Sequence, residues 1–558
     1  MLVRAVLPAV VAVRAPVSSG LDGTAGQTRA GGRDRAGGRD RAGGPGPARP
    51  EGHPVTVTVG ARHRGPAIPG DFAGLSFERE PLIPGRAGVA GYLFSPANGS
   101  LVTLFRNLGL RNLRIGGGTV DQLGPAGTGS DGFTGIDELF GFADAAGAQV
   151  IYTLRLLSPA AQPIGGLRSI NARVAGYIWR RYREHVASFA IGNEPDWHAF
   201  HSHAGRRVDP AIYEEVSGVP GSAYPSYLAN WRSFASAVAG AAPGAPLCGP
   251  DTGAYTRLTR TPDPDTGVSW TERFADDEKD AGRIAEVTQH YYVGADPGKT
   301  TARRAIDNML APEWVTGTAA GTQPARTTYT PYPWLYANNL APVTGAGLRY
   351  RLTEANDYLG GVPGASNAFA SALWALDFLH WWAAHGTSGV NFHNTQWVVN
   401  DVITLDLNRQ LVANPKAYGL KAFALGGQGA EVPVTMNNSD GLNATAYAVW
   451  DGSQFYVTLI NKEHGFGARD AQVTIDARDS GLASAAAIFL SAPQGDVATK
   501  GGVTIGGAAI TNNALWAGNW SELPSATNGH YAVTVKFSSA AVVRLRTVPQ
   551  PAPPRESR

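Results

Sequence analysis

The chain has one cysteine, little charge and no long hydrophobic run. With only Cys248 among its 558 residues, an internal disulfide is excluded, and the apolar run around Cys248 predicts a buried structural thiol. Lys and Arg number 47 against 45 Asp and Glu, so the net charge of +2 does not favour nucleic acid or an anionic membrane as a partner. No stretch of about 18 apolar residues occurs, so no transmembrane helix is predicted.

The first 53 residues differ in composition from the rest of the chain. Residues 1–13 weakly resemble a secretory signal peptide, and a six-residue repeat of Arg, Ala, Gly and Asp follows from Arg29. Such a repeat cannot form a core, so residues 1–53 are predicted to be a weak signal peptide plus a disordered segment. An RNA-binding segment is the alternative, which interleaved Asp and missing aromatics disfavour. A secreted or periplasmic location is expected, with a cytoplasmic one as the alternative.

Residues 61–430 show strand signals that alternate with helical ones. The chain is too long for one core, and at 43% hydrophobic residues it can build more than one. Eight strand signals are counted, at residues 72–78, 110–115, 149–156, 186–191, 246–249, 285–292, 348–354 and 389–392. Eight such alternations predict an α/β fold, a (β/α)₈ TIM barrel.

After the barrel, short alternating runs separated by Gly, Asn and Asp begin near residue 431. They predict an antiparallel β-sandwich over residues 431–547, followed by a Pro-rich disordered tail at 548–558. The strand at 54–60 has no place in the eight-strand count. It is expected to join the C-terminal sandwich.

Two glutamates follow barrel strands at the end where barrel enzymes keep their chemistry. Glu194, in Asn193-Glu194-Pro195, follows the fourth strand, and Glu354 ends the seventh. Either one alone could belong to a solvated loop. Together they would face one mouth, and glycoside hydrolysis requires two carboxylates so placed.

Motifs around both glutamates resemble those of retaining glycosidases of clan A. More narrowly they resemble glycoside hydrolase family 79, which contains β-glucuronidases and heparanases. The matching stretches are Leu113-Arg114-Ile115-Gly116-Gly117, His290-Tyr291-Tyr292, and residues 354–361 followed by Phe369-Ala370. The resemblance covers about residues 54–547 and implies the barrel-plus-sandwich architecture.

The resemblance also implies roles for the matched residues. Glu194 would be the general acid/base and Glu354 the nucleophile. Asn193 would donate to the substrate's 2-hydroxyl, Tyr292 would fix the rotamer of Glu354, and His290 would line the floor of the pocket. A purely structural role for His290 and Tyr292 is the alternative, because aromatic pairs at strand ends are commonly core.

A loop after the seventh strand carries the substrate preference that the resemblance implies. Tyr358, Gly360 and Gly361 would bind a uronic carboxylate through a phenol and backbone N–H groups, since an amide nest favours an anion. Leu359 separates the Tyr from the Gly pair here, one position more than in the family's loop.

Other candidate residues carry weaker signals. Glu78, Asp121 and His393 could contact sugar hydroxyls, or serve as salt-bridge partners at the barrel end. His198, His201 and His203 have spacing that could chelate zinc, but no metallohydrolase carboxylate motif accompanies them, so they are assigned to a loop on the aglycone side. No cofactor and no metal are predicted.

The sequence therefore predicts a monomeric enzyme acting on a carbohydrate substrate. The reaction expected is removal of terminal β-linked glucuronic acid by an exo-acting, retaining β-glucuronidase. Another clan A retaining enzyme, a β-xylosidase or β-glucosidase, is the first alternative. A non-catalytic carbohydrate-binding barrel is the second.

Overall fold

A computed structural model describes most of the chain. The described ranges are 52–121, 132–156, 164–196, 223–253, 268–294, 300–312, 332–396, 398–478, 482–524 and 529–547. Nearly all of the predicted leader, the predicted tail from 548 and the stretch with His198, His201 and His203 lie outside these ranges.

The strands of the first part are numbered in chain order. They are β1 (His53–Val59), β2 (Ala67–Ile68), β3 (Ala73–Glu78), β4 (Asn112–Gly116), β5 (Gln149–Leu154), β6 (Val186–Ile191), β7 (Leu247–Thr252), β8 (Ile284–Gly294), β9 (Tyr350–Tyr358) and β10 (Gly389–His393). Strands β3 to β10 are parallel and close into a barrel, with β10 paired to β3. The predicted (β/α)₈ fold class is confirmed.

Barrel strands are buried along almost their whole length because helices cover their outer face. The longer helices are Gly99–Leu108, Thr134–Ala146, Ile164–Tyr182, Ala223–Ala241, Trp270–Glu278, Ala302–Met309, Ala370–Ala384 and Pro415–Gly426, with shorter ones at Tyr332–Leu335 and Ala341–Gly345.

Strand β9 is longer than its sequence pattern predicts. The pattern ends the strand at Glu354, whereas pairing with β8 continues to Tyr358. Glu354 therefore lies inside the strand, and Tyr358 is its last residue rather than part of the following loop.

The later strands form a hairpin and two sheets. They are β11 (Ile403–Leu405), β12 (Leu411–Ala413), β13 (Gly429–Val432), β14 (Val434–Asn437), β15 (Ala444–Trp450), β16 (Gln454–Asn461), β17 (Ala471–Asp476), β18 (Leu482–Ser491), β19 (Thr504–Ile505), β20 (Ser521–Glu522), β21 (His530–Val535) and β22 (Ser539–Thr547). One sheet has the order β14-β1-β17-β21, and the other runs β19-β18-β22-β16-β15-β13-β2 with β20 on β18.

The N-terminal strand β1 lies in the first of these sheets. It pairs antiparallel with β14 and parallel with β17, and its alternation buries Val55, Val57 and Val59 against the other sheet. Strand β2, within the stretch assigned to the barrel from the sequence, pairs with β13 of the second sheet.

Helix Ala370–Ala384 is buried on all sides because it lies between the barrel and the second sheet. Asp377 on this helix accepts hydrogen bonds from Thr445 and Tyr447, each at 2.7 Å, and from Lys462 at 2.8 Å. A buried carboxylate with a cation and two hydroxyls is satisfied, so the two parts are held in one orientation.

Two further observations bear on the sequence predictions. Cys248 is fully buried, and burial raises the pKa of its thiol. No helix in the described ranges is long and apolar enough to cross a membrane.

Candidate active site

Glu194 stands three residues beyond β6 in a left-handed backbone conformation, with φ at 47°. Such a conformation costs about 1–3 kcal/mol for a residue other than glycine and must be held by its surroundings. Here the N–H of Glu194 donates to the carbonyl of Asp251 at 2.9 Å, and Asp251 is itself left-handed, with φ at 54°. The two turns after β6 and within β7 fix each other, and they orient the Glu194 side chain.

Glu354 presents its carboxylate to the barrel interior from β9. Its Oε1 accepts the hydroxyl of Tyr292 at 2.8 Å, and its Oε2 accepts Nη1 of Arg114 at 2.9 Å. Only 9% of the Glu354 side chain is exposed. Both oxygens are thus fixed by charge-assisted or hydroxyl hydrogen bonds, which hold the carboxylate in one rotamer.

Arg114, from β4, connects the site, and the sequence analysis did not single it out as a site residue. Its Nη2 donates to Asn193 Oδ1 at 2.8 Å and to Asp251 Oδ2 at 2.9 Å. Its guanidinium lies over Gly116, where an added Cβ would come within 2.4 Å of Cζ. The Gly that follows two residues after Arg114 is therefore required by close packing.

His290, from β8, lies between the two glutamates. Its Nδ1 is 2.8 Å from Glu194 Oε1 and 3.8 Å from Glu354 Oε2. One side-chain nitrogen of His290 and one carboxylate oxygen of each glutamate all lie within 4.8 Å of one another. The two carboxylates predicted from the sequence are therefore close neighbours at one end of the barrel.

Charges in the site shift several pKa values. Burial alone would raise the pKa of Glu354, but the charges of His393, His290 and Arg114 and the Tyr292 hydrogen bond together hold it well below its usual range. Burial would lower the pKa of His290, yet the nearby Glu354 and Glu194 carboxylates raise it overall. Glu354 is therefore kept ionised, and His290 is favoured as a cation.

Asp251 is a second site residue that the sequence analysis missed. Its Oδ1 accepts the hydroxyl of Thr353 at 2.6 Å, and its N–H donates to Thr288 Oγ1 at 3.1 Å. Burial would raise the pKa of Asp251, but Arg114, His290 and these hydroxyls lower it overall. Asp251 is thus a buried anion beneath Arg114.

His393 and Glu78 form the opposite wall. His393, the last residue of β10, has Nδ1 3.7 Å from Glu354 Oε2 and Nε2 3.7 Å from Glu78 Oε1. Glu78 accepts the N–H of Gly118 at 3.2 Å, and both the N–H and the hydroxyl of Thr119. This pair lies beside the nucleophile candidate, where a sugar hydroxyl could reach it.

Asp121 follows the carboxyl end of β4. Its Oδ1 accepts the N–H of Leu156 at 3.0 Å, and its carbonyl accepts Arg155. These contacts tie the segment after β4 to the end of β5.

The loop predicted to bind a uronic carboxylate makes hydrogen bonds within the protein. Tyr358 is buried, and its hydroxyl accepts Nδ2 of Asn308 at 3.1 Å. The N–H of Gly361 donates to the carbonyl of Tyr358 at 3.0 Å, and Gly360 and Gly361 both have positive φ. The loop forms a tight turn whose Gly361 N–H is already used.

Glu194, His290 and Glu354 form the one group of metal-binding residue types found together in the described ranges. They fit a cation poorly, because Arg114 already places a fixed positive charge 2.9 Å from Glu354 Oε2. A divalent ion would have to share that oxygen with the guanidinium. The absence of a metal from the reaction stays a prediction.

The chain is a (β/α)₈ barrel with an added β-sandwich, and its mouth holds a pair of carboxylates. No protein-family model and no curated protein matches its sequence. Solved structures do match its fold. A 4-O-alpha-L-rhamnosyl-beta-D-glucuronidase from Fusarium oxysporum 12S has a TM-score of 0.63 at 16% identity, covering 88% of this chain and 99% of that one.

Two further similar structures have other substrates in their names. A family 51 alpha-L-arabinofuranosidase from Bifidobacterium longum has a TM-score of 0.59 at 16% identity, covering 89% of this chain and 100% of that one. A family 44 endoglucanase from Clostridium thermocellum has a TM-score of 0.58 at 13% identity, with coverage of 88% and 100%. At these identities the likeness shows a shared fold, one used by glycoside hydrolases of several families.

Proposed function

We propose that the protein is a retaining glycoside hydrolase, with Glu354 as nucleophile and Glu194 as general acid/base. The observation that carries the proposal is the closeness of the two carboxylates, since one oxygen of Glu194 and one of Glu354 lie within 4.8 Å of each other. Retaining enzymes place these groups about 5 to 5.5 Å apart, whereas inverting enzymes need about 6.5 to 9.5 Å to admit a water molecule.

Two displacements make up the reaction. Glu354 attacks the anomeric carbon while Glu194 gives its proton to the leaving oxygen, so the glycosidic bond breaks and a glycosyl ester forms. Glu194 then takes a proton from water as the water's oxygen attacks the same carbon. The ester bond breaks, and the sugar leaves with its original anomeric configuration.

Differences in environment support this assignment of the two roles. Glu354 is held as an anion by Arg114 and Tyr292, which suits a nucleophile that must be ionised before substrate binds. Glu194 is 21% exposed, and its hydrogen-bond partner His290 is itself a titrating group. A group that must exchange its proton once per turnover benefits from both features.

Asn193 would bind the sugar through its amide nitrogen. Its Oδ1 faces the guanidinium of Arg114, which has donors only, so Nδ2 is the atom left to donate to a ligand. A hydrogen bond to the 2-hydroxyl that strengthens in the transition state would add several kcal/mol to catalysis.

Terminal β-linked glucuronic acid is the first candidate substrate, with exo action. Support comes from the family 79 motifs and from the glucuronidase among the similar structures. A neutral β-xyloside or β-glucoside is the second candidate. It is favoured by the burial of Tyr358, because a phenol that is only 2% exposed presents little surface to a uronic carboxylate.

The test uses p-nitrophenyl β-glucuronide, β-xyloside and β-glucoside with the wild type and with Glu354→Gln. We expect release from at least one substrate by the wild type, and retention of configuration by NMR. A 2-deoxy-2-fluoro glycosyl fluoride of the accepted sugar should label the peptide that contains Glu354. No release from any substrate would refute the proposed glycosidase function. Release unaffected by Glu354→Gln would refute the assignment of Glu354 as the nucleophile.

A further inference from the structure

A groove runs along the rim of the barrel beside the loop that follows β3. It consists of two adjoining cavities of about 400 and 430 Å³, within the range of about 300–1,000 Å³ usual for small-molecule sites. The cavities share Val89, Ala90, Arg409 and Gln410, and we call them together the rim groove.

The rim groove lies at the same end of the barrel as the catalytic glutamates. Its walls are the loop after β3, residue Glu138 of the helix after β4, and the turn of the β11–β12 hairpin after β10. In a parallel barrel these connections all follow the carboxyl ends of strands. None of the groove's residues belongs to the centre around Glu354.

The walls of the rim groove carry both hydrogen-bond donors and hydrogen-bond acceptors. Glu138 contributes a buried Oε2 that has no hydrogen-bond partner among the described residues. Arg409 and Gln410, both exposed, contribute donors from the hairpin. With one acid and one base the groove is close to neutral, which favours a ligand with many hydroxyls over an anion or a cation.

The hairpin wall is held in place before any ligand arrives. Asp406 Oδ1 accepts the N–H groups of Asn408 and Gln410, each at 2.8 Å. Arg409 is left-handed, with φ at 60°, and its Nε donates to the carbonyl of Gly88 across the groove at 3.2 Å. Because both walls are connected by this bond, little ordering cost would remain for binding.

We propose that the rim groove is a second carbohydrate-binding site, which holds units of a neutral oligosaccharide away from the bond that is cleaved. The ligand class rests on the proposed glycosidase function, whereas the groove itself does not. Adjacent hydroxyls of a pyranose would pair with the Glu138 carboxylate and with donors of Arg409 and Gln410.

Isothermal titration of the Glu354→Gln protein with cellohexaose and with xylohexaose tests the proposal. In this background Arg409→Ala and Glu138→Gln should each weaken binding of one hexaose at least 10-fold. Leu407→Ala, an exposed change on the same hairpin outside the groove, is the matched control and should leave affinity unchanged. Two different substitutions guard against a loss that is due to misfolding.

Equal affinity in Arg409→Ala and Leu407→Ala, or no binding of either hexaose, would overturn the proposal. When Glu354 is left unchanged, Arg409→Ala should not alter turnover of the small p-nitrophenyl glycoside. If no glycoside is cleaved while hexaose binding still needs Arg409, the proposed function fails and the groove stands. If a glycoside is cleaved but hexaose binding does not need Arg409, the proposed function stands and the proposal for the groove fails.

Discussion

Arg114 and Glu354 form a buried ion pair at the mouth of the barrel, with Nη1 2.9 Å from Oε2 and side-chain exposures of 0% and 9%. The same guanidinium reaches Asp251 at 2.9 Å. One cation thus stabilises two buried carboxylates, and His393 and His290 supply further positive charge. The proposed catalysis and the folding stability would therefore depend on the same cluster.

Replacement of Arg114 by Met should lower the free energy of unfolding by about 3–5 kcal/mol, because it leaves buried carboxylates without their partner. It should also move the acid limb of the kcat/KM profile to higher pH, since Glu354 loses a charge that lowers its pKa. Urea denaturation at pH 7 and a pH-rate profile measure the two effects. Arg111→Met, at an exposed position directly before β4, should change neither.

The depressed pKa of Glu354 predicts how stability depends on pH. Its folded pKa lies below the unfolded value of about 4.3, so its ionised form stabilises the fold above that pH, and this contribution is lost as pH falls. Glu354→Gln lacks the contribution. The stability difference between wild type and Glu354→Gln should therefore shrink between about pH 5 and pH 3, and a constant difference would contradict the ion pair.

His290 should act in the opposite direction. Its pKa is raised in the fold, so its protonated form adds stability that is fully present below the unfolded pKa of about 6.5 and is lost as pH rises. Unfolding measured from pH 6 to 9 should show a decline for the wild type that His290→Gln lacks. His380, whose pKa burial lowers to about 3, is the control, since His380→Gln should keep the decline.

Glu194→Ala should be rescued by azide. General acid/base groups contribute about 10²- to 10⁴-fold to the rate. Turnover of a glycoside with a poor leaving group should therefore fall by that order. Release of p-nitrophenol in the first turnover should fall less, because this leaving group needs less protonation. Azide needs no general base, and it should form a glycosyl azide of retained configuration, detected by NMR. The exposed Glu184→Ala is the control, and an azide product of inverted configuration would contradict the assignment.

Strand order and the placement of both glutamates at one end of the barrel could be predicted because apolar runs and their polar ends are local signals. Arg114 and Asp251 could not, because their importance comes from partners that are 137 residues apart in the chain. Register between β8 and β9 shifts between Gln289 and His290, so the neighbours Thr353 and Glu354 both make contacts inside the barrel. A period-two pattern cannot predict such a shift.

A buried lysine connects the end of β9 to the segment after β10. Lys416 donates to Asn356 Oδ1 and, at 2.8 Å, to the carbonyl of Asn400, and its Nζ is 3.4 Å from Asp357 Oδ2. Asn356 in turn donates to the carbonyl of His393 at 3.0 Å. The lysine therefore acts on the wall beside Glu354 without touching the site.

Lys416→Met should cost about 3–5 kcal/mol of unfolding free energy, because Asp357 would keep a buried charge without a cation. Lys421→Met is the matched control in the same helix. Lys421 is only half-buried and lies over Trp516, so its loss should cost about 0.5–1 kcal/mol. Denaturant unfolding of both variants measures the difference, and equal costs would contradict the buried ion pair of Lys416 and Asp357.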